Sequence, residues 1–560
     1  MEGGEQSMPL NSSSMSVIAR ITSVAAAGLL ACTALAQAAG DLRVGMSTGD
    51  VPRVMGQPDQ GYAGNLFAGT TLYDSLVQWD LSSEDRTSGI VPALALRWQV
   101  DAADKTKWRF ELRPDVKFHD GSAFDADAVV WNVGKVLDPK AIQFDAGQAA
   151  LTVHRMPSLV SARKIDDLTV EIVTSVPDSS IPINLSNLFM ASPAQWQKLF
   201  DAATGADDAA KAKVAWAEFE KHPSGSGPWK FDRLVPRERL ELVKNDEYWD
   251  AGRRPKLDRL ILFPIPDTNA RVSALMAGQL DWIEAPAPDA MDQLTAQGFR
   301  ILANEQPHLW PWHFSYHEGS PWRDVRVRQS ANLCVDREGL SEGLLKGMMI
   351  PATGWWEPGH PWAGEPTFTI KHDPEQARIL MAEAGYGADK RAKVRVLISG
   401  SGSGQMQPLI MNEYLQQALG GCHFDVELQT VDWNALLASL RSGALDTISY
   451  GATALNVAFP SMDPMMVYKL VDSKFTVPVG ANWGGVNNEK IDQLVAKART
   501  TFEPEALDAA IGDLNAQIVD DALFLFVAHD VGARAISPKV HGVVQPKNWF
   551  VDFSSVELKD

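Results

Sequence analysis

The sequence predicts an α/β protein of more than one lobe, and three observations predict it. The chain has 560 residues, too many for one hydrophobic core, so it should divide into lobes of about 100 to 250 residues. Its second half alternates helical and strand-like periodicity at the spacing of βαβ units. No low-complexity linker or internal repeat interrupts the chain after its N-terminal stretch. The lobes should therefore meet at short crossing strands, which suits closure.

The N-terminal stretch has its own logic. Arg20 precedes an apolar and small-residue run over 21–36, followed by Gln37 and Asp41, which is the pattern of a secretory signal. Ala34-Leu35-Ala36 has the A-x-A form, so a signal over 1–36 with cleavage before Gln37 is the first choice and cleavage after Ala38 or Ala39 the second. Residues 1–14, before Met15, are dispensable to that pattern. Leu29-Leu30-Ala31-Cys32 has the outline of a lipoprotein box, with Leu30 an awkward fit. The expected location is the periplasm, with lipid anchoring at Cys32 as the minor alternative. No other segment reaches the roughly 18 apolar residues of a membrane span.

Composition narrows the class. With 45% hydrophobic and 22% charged residues the chain reads as globular. A formal net charge of -19, with no basic block, argues against a nucleic-acid partner.

Residues 108–113 and 168–174 alternate as half-buried strands do, with a helix read at 125–136 between them. Residues 240–244 and 257–263 are strand-like, and 268–277 is helical with Gly278 placed as its stop. The alternation then becomes regular: helix 374–384, strand 393–399, helix 405–419, strand 424–429, helix 433–442 and strand 445–449. That order predicts a largely parallel sheet. The first of these helices is the best signalled. Asp373 is a ready N-cap, Pro374 suits the first turn, Gln376 completes a capping box and Gly385 ends it. Helices at 489–500 and 504–520 and a buried strand at 523–527 follow. Cys334 and Cys422 leave open both a disulfide and two buried thiols, since sequence does not supply their separation.

Several motifs recur in a telling order. The first set is Leu72-Tyr73-Asp74-Ser75-Leu76-Val77, Pro92-Ala93-Leu94-Ala95 with Trp98, Phe110-Glu111-Leu112-Arg113 and Phe118-His119-Asp120-Gly121. The second is Gly225-Ser226-Gly227-Pro228-Trp229, Asn245-Asp246-Glu247-Tyr248-Trp249 and Ala277-Gly278-Gln279-Leu280-Asp281. The third is Asp324-Val325-Arg326-Val327-Arg328-Gln329-Ser330, Val335-Asp336-Arg337, Asp373-Pro374-Glu375-Gln376-Ala377 and Ala382-Glu383-Ala384-Gly385-Tyr386. From about Val44 to the C-terminus, this series resembles the family 5 extracellular solute-binding proteins of ABC importers, which include dipeptide, oligopeptide, nickel and some oligosaccharide binders.

The resemblance implies a two-lobed periplasmic binding protein fold of cluster C type, α/β with mixed sheets and an interlobe cleft. It implies lobe I at 41–306, including an extra subdomain, lobe II at 307–525, and a return segment at 526–560 that completes lobe I. It further implies a monomer that takes a small molecule or peptide in the cleft and delivers it to an ABC permease in the inner membrane. Most of the motifs read as architecture. Asp120-Gly121 signals a turn, which makes His119 a turn or surface group, and Asp324 with the arginines after it should cap and pair along a helix.

Candidate ligand contacts come from aromatic and loop residues. Trp310 and Trp312 lie at the expected crossing, and Trp355 and Trp356, with Trp362, lie in a Pro/Gly-containing loop with no helix face to bury them. Flat rings with a polar N–H suit stacking in a cleft; packing at the hinge is the equal alternative. Ser401 and Ser403 sit in the loop 400–404, whose free N–H groups could cradle an anion or could simply turn the chain. That loop is neither a P-loop nor a dinucleotide fingerprint, and no cofactor is implied. Tyr450 and Trp483 complete the set.

In dipeptide binders of the family, an arginine from this loop meets the ligand carboxylate and an aspartate after a later strand meets its amino group. Here the loop holds serine and glycine, and 450–455 carries no acid before Asp463. Losing such a pair removes about 2–5 kcal/mol of selectivity. That argues against a free dipeptide and leaves longer peptides, sugars, opine-like conjugates and other aromatic solutes. His308, His313 and His317 do not have a spacing that ensures metal ligation, so no metal is expected.

An enzyme is the rival of another class, but G-x-S-x-G and H-E-x-x-H are absent and no cysteine has a local base signature. A ligand-binding subunit for a membrane sensor, or a peptide-holding chaperone, would share the fold, and fold alone does not separate them.

Overall fold

The computed structural model describes residues 40–460, 462–463 and 466–559; the expected signal over 1–36, the expected cleavage points at Gln37, Ala38 and Ala39, and Cys32 lie outside them. Two seven-stranded sheets organise these residues. In the first, the order is 300–302, 534–536, 282–284, 41–46, 259–264, 239–244, 229–235. Asp41–Met46 runs parallel to both its neighbours. Its alternate residues Leu42, Val44 and Met46 reach one core with Trp229, Leu260, Trp282 and Ile536, as a period of two requires.

The second sheet is mixed, which corrects the expectation of a largely parallel one. Ala392–Ser399 runs parallel to Phe424–Val431 and to Ala454–Asn456. His308–Phe314, Met349–Pro351 and Phe524–Asp530 are joined antiparallel. The strand expected at 445–449 is also absent. The Asp446 carboxylate accepts from the Ile448 N–H and turns Thr447–Ser449 into a 3₁₀ segment. Such local side-chain bonds compete with sheet pairing, and the strand forms instead at Ala454–Asn456. The helix expected from 405 begins at Pro408, because Gly404 and Met406 adopt φ of 69° and 54° and proline suits the first helical position.

A four-stranded antiparallel sheet of residues 95–100, 107–112, 169–174 and 159–166 packs with helix Ala126–Leu137 around Phe110, Val129, Val133 and Ile172. The motif blocks converge nearby. The buried Asp74 accepts from Ser226 Oγ at 2.9 Å, Tyr248 Oη at 2.9 Å and Trp249 Nε1 at 2.8 Å. Gly227 donates its N–H to the Leu72 carbonyl, and a Cβ there would lie 2.5 Å from the Leu72 backbone, so only glycine fits.

His119 stands in the turn that Asp120-Gly121 signals, half-buried, with its Nε2 3.0 Å from the Gly227 carbonyl oxygen, and burial pushes its pKa down to about 4. Asp324 does cap its helix and pair with Arg326. Arg328, however, turns inward and donates to the carbonyls of Trp322, Asp521 and Ala522. Cys334 and Cys422, left open by the sequence, are joined in a disulfide with Cα atoms 6.3 Å apart.

The chain passes between the two large sheets twice, between Leu302 and His308 and between Asp530 and Arg534. The strands that begin and end these passages, His308–Phe314 and Phe524–Asp530, are buried along their whole length and paired with each other. Burial pushes the pKa of His308 down to about 3 and those of His313 and His529 to about 4, while it raises Asp530 to about 6.

The signs of these shifts oppose. A depressed histidine contributes stability that is full above its unfolded pKa near 6.5 and is lost as pH falls through the folded value. A raised aspartate contributes below about 3.8 and loses that contribution as pH rises through 6. Near pH 5 these three imidazoles, with the similarly depressed His119, outnumber the one raised carboxyl. Urea unfolding should therefore show the chain less stable at pH 5 than at pH 6, by a few kcal/mol at about one proton per group. Equal stability at the two pH values would contradict neutral burial of these rings.

Candidate functional site

Where the two sheet-centred halves face each other they border a partly open cavity of about 80 Å³. Helix Trp433–Ser442 forms one wall. Trp433, Leu437, Leu440 and Arg441 recur at i, i+4, i+7 and i+8, which places them on one face, and all four line the cavity. The helix begins where it does because the Asp432 side chain accepts from the Ala435 N–H at 3.0 Å. The Trp433 ring lies against Gly402, where a Cβ would come within 2.4 Å of it, and Gly402 holds φ at 135°. Its Nε1 has no partner among the described residues.

The opposite wall carries Tyr62, Leu151 and Arg155. The Arg155 guanidinium lies over the Tyr62 ring at 4.6 Å. At the hinge end, the His308 and Trp549 rings stack at 5.1 Å. A second cavity of about 460 Å³, lined in part by Ser401, Gln405, Arg271, Glu284 and Arg534, shares Trp549 with the first.

The charges of the smaller cavity are unbalanced. Lys469 pairs with Asp463 at 3.1 Å and donates to Asn184 Oδ1 at 2.7 Å. Arg155 and Arg441 have no hydrogen bond or ion pair through their guanidinium groups among the described residues. Burial holds both below the usual arginine pKa, and Arg155 adds its repulsion to Arg441. Burial also pushes the Tyr62 phenol up to about 12.

Direct bonds join the two halves around this space. Ala63 N–H donates to Ser403 Oγ at 2.9 Å. Arg499 pairs with Asp178 at 3.3 Å, both side chains largely buried, and Ser179 N–H donates to the Arg499 carbonyl at 3.1 Å.

Of the residues singled out in the sequence, Ser403 lines the smaller cavity and Ser401 the larger. Neither cavity includes the others. Trp310 donates to the Gln405 carbonyl at 3.0 Å and Trp312 to Asn412 Oδ1 at 2.8 Å, with both rings in the core of the second half. Trp355 and Trp356 do have a helix to pack on: they are 0% and 1% exposed, in one cluster with Ile511, Leu514 and Ile518 of helix Pro504–Asp520. Trp483 packs in a cluster with Trp433. Tyr450 is 48% exposed, and its carbonyl accepts from Arg395. Sequence reasoning missed Tyr62, Arg155, Trp433, Arg441 and Trp549. An arginine within an otherwise apolar face of helix 433–442 was the available signal. His313 is committed to the Val457 carbonyl, and no group of three or more metal-ligating residues occurs among the described residues.

The family model for bacterial extracellular solute-binding proteins, family 5, matches residues 89–472. Heme-binding protein A of Haemophilus influenzae is 27% identical over 503 residues, covering 87% of each chain. Among solved structures, the dipeptide-binding protein of Pseudoalteromonas sp. SM9913 in complex with Met-Leu superposes with a TM-score of 0.78 at 18% identity, covering 93% of this chain and 100% of that one. The binding protein AgaA of A. tumefaciens R10 in complex with agropinic acid gives 0.74 at 20% identity, covering 93% and 99%.

Proposed function

Because the chain belongs to the bacterial extracellular solute-binding proteins, family 5, we propose that it captures a small solute between two lobes in the periplasm and delivers it to an ABC permease. Lobe I comprises 41–306 with a return segment that follows Asp530 rather than starting at 526, because strand Phe524–Asp530 lies in the second sheet, and lobe II comprises the residues between. The observation that carries this reading is the partly open cavity between halves that are joined at two strand crossings and bonded directly to each other around it. Such an arrangement opens and closes as a hinge, and a solute that binds the closed form preferentially shifts the population toward it.

Met-Leu and agropinic acid, held by two proteins of this fold, mark a range of ligands rather than one. For this chain the free-dipeptide reading is the weaker. No acid lines the cavity among the described residues, and the buried Asp463 is held by Lys469 and is not free to receive an amino group.

The test is a thermal-shift screen of the mature chain, denatured and refolded to strip carried-over solute, against peptides, sugars, amino-acid conjugates and metal ions. At a hundredfold excess over Kd, binding adds about 2.7 kcal/mol. A shift with one chemical class supports the reading, and no shift with any class contradicts it.

The Asp178–Arg499 pair gives a second test. Asp178→Ala leaves Arg499 buried without its carboxylate only when the lobes are closed, a cost the open form avoids by hydration. Affinity for the stabilising compound, measured by calorimetry, should fall about 10- to 100-fold. Unchanged affinity would mean that closure does not form this pair.

A further inference from the structure

We propose that the solute is an organic anion with an apolar or aromatic body, its carboxylate held jointly by Arg155 of one lobe and Arg441 of the other. The proposal deepens the binding reading above and rests on it. Arg155 is 8% exposed and Arg441 half-buried, and both residues line the cavity. A buried charge without a counter-charge is costly. Here two of the same sign, one from each side of the lobe boundary, line a single cavity in a chain of formal net charge -19.

The groups facing them do not supply the missing charge. Lys469 and Asp463 neutralise one another, and Tyr62 is held in its neutral form by burial. An incoming carboxylate does supply it, and guanidinium matches carboxylate in fork geometry. The rest of the wall sets the body of the ligand. Leu437, Leu440, Phe459 and the faces of Trp433 and Trp549 are apolar or aromatic, and the unpartnered Trp433 Nε1 offers one further donor.

The arrangement couples binding to closure. Without an anion, the two arginines repel as the lobes approach; with one, the same approach completes the site. These arginines lie outside the loop 400–404, so the chain meets a carboxylate from positions other than the one the family's dipeptide binders use.

The experiment uses the stripped mature chain and four probes: N-acetyl-phenylalanine, N-succinyl-phenylalanine and the carboxamide of each, with a neutral sugar and a free dipeptide alongside. The acids should stabilise the chain, with each carboxamide about 30-fold weaker or more. Arg155→Met and Arg441→Met should each lose acid binding by a similar factor. Both variants should also melt at or above the temperature of the unliganded parent, because each removes an uncompensated charge rather than a bonded one. A carboxamide that binds as well as its acid, acid affinity unchanged in Arg155→Met, or stabilisation by the sugar or dipeptide alone would overturn the clamp and leave the solute-binding function standing. Absence of any shift across these probes and the wider panel would overturn both.

Discussion

Replacing Cys334 and Cys422 by serine, or reducing their bond, is expected to lower the unfolding free energy of the second half by about 4–5 kcal/mol. The two residues are 88 positions apart, and closing a loop of that length removes most of this amount from the entropy of the unfolded chain. Both lie in the core of the second half with Leu415, Leu419 and Phe424, so the bond fastens helix Val325–Cys334 to the start of strand Phe424–Val431. Urea unfolding followed by tryptophan fluorescence, with and without reductant, measures the effect. An unchanged midpoint under reducing conditions would contradict it. A bond of this kind persists in an oxidising compartment, which accords with an exported protein.

Asp74→Ala should cost about 3–5 kcal/mol in the first half. The carboxylate is 6% exposed and receives hydrogen bonds from Ser226, Tyr248 and Trp249, so its removal strands three buried donors at once. Burial raises the Asp74 pKa, against the opposing pull of those donors. Asp74→Asn keeps the size and one acceptor oxygen and should cost less than half as much. Denaturation midpoints of the two variants decide the matter, and equal losses would show that neither the side-chain volume nor a single acceptor oxygen suffices at this position and that the full carboxylate is required.

That three motif blocks, far apart in sequence, meet on one carboxylate explains why the family was legible from them. Each had to be preserved in kind for Asp74 to be satisfied. Elements with strong local signals were legible for a similar reason. Asp373 and Pro374 start a helix at the expected residue, and Trp433–Ser442 forms with the expected bounds.

Misreadings occurred where a local bond competed with periodicity, as at Asp446, and where strand direction depended on partners that the sequence does not name. The tryptophans misled for a different reason. A large ring in a loop attracts a functional reading, yet Trp355 and Trp356 found a helix that follows them by about 150 positions. Arg441 had one signal, an arginine on an otherwise apolar helix face, whereas Arg155 had none, because its burial beside Tyr62 is visible only once the fold is known.

The central claim is that a solute closes the two lobes. Small-angle scattering of the stripped mature chain, alone and saturated with the compound that stabilises it most, tests it directly. The account predicts a smaller radius of gyration with the solute than without it, because ligand shifts the lobes toward the closed arrangement held by Asp178–Arg499 and Ala63–Ser403. Identical profiles in the two conditions would contradict it.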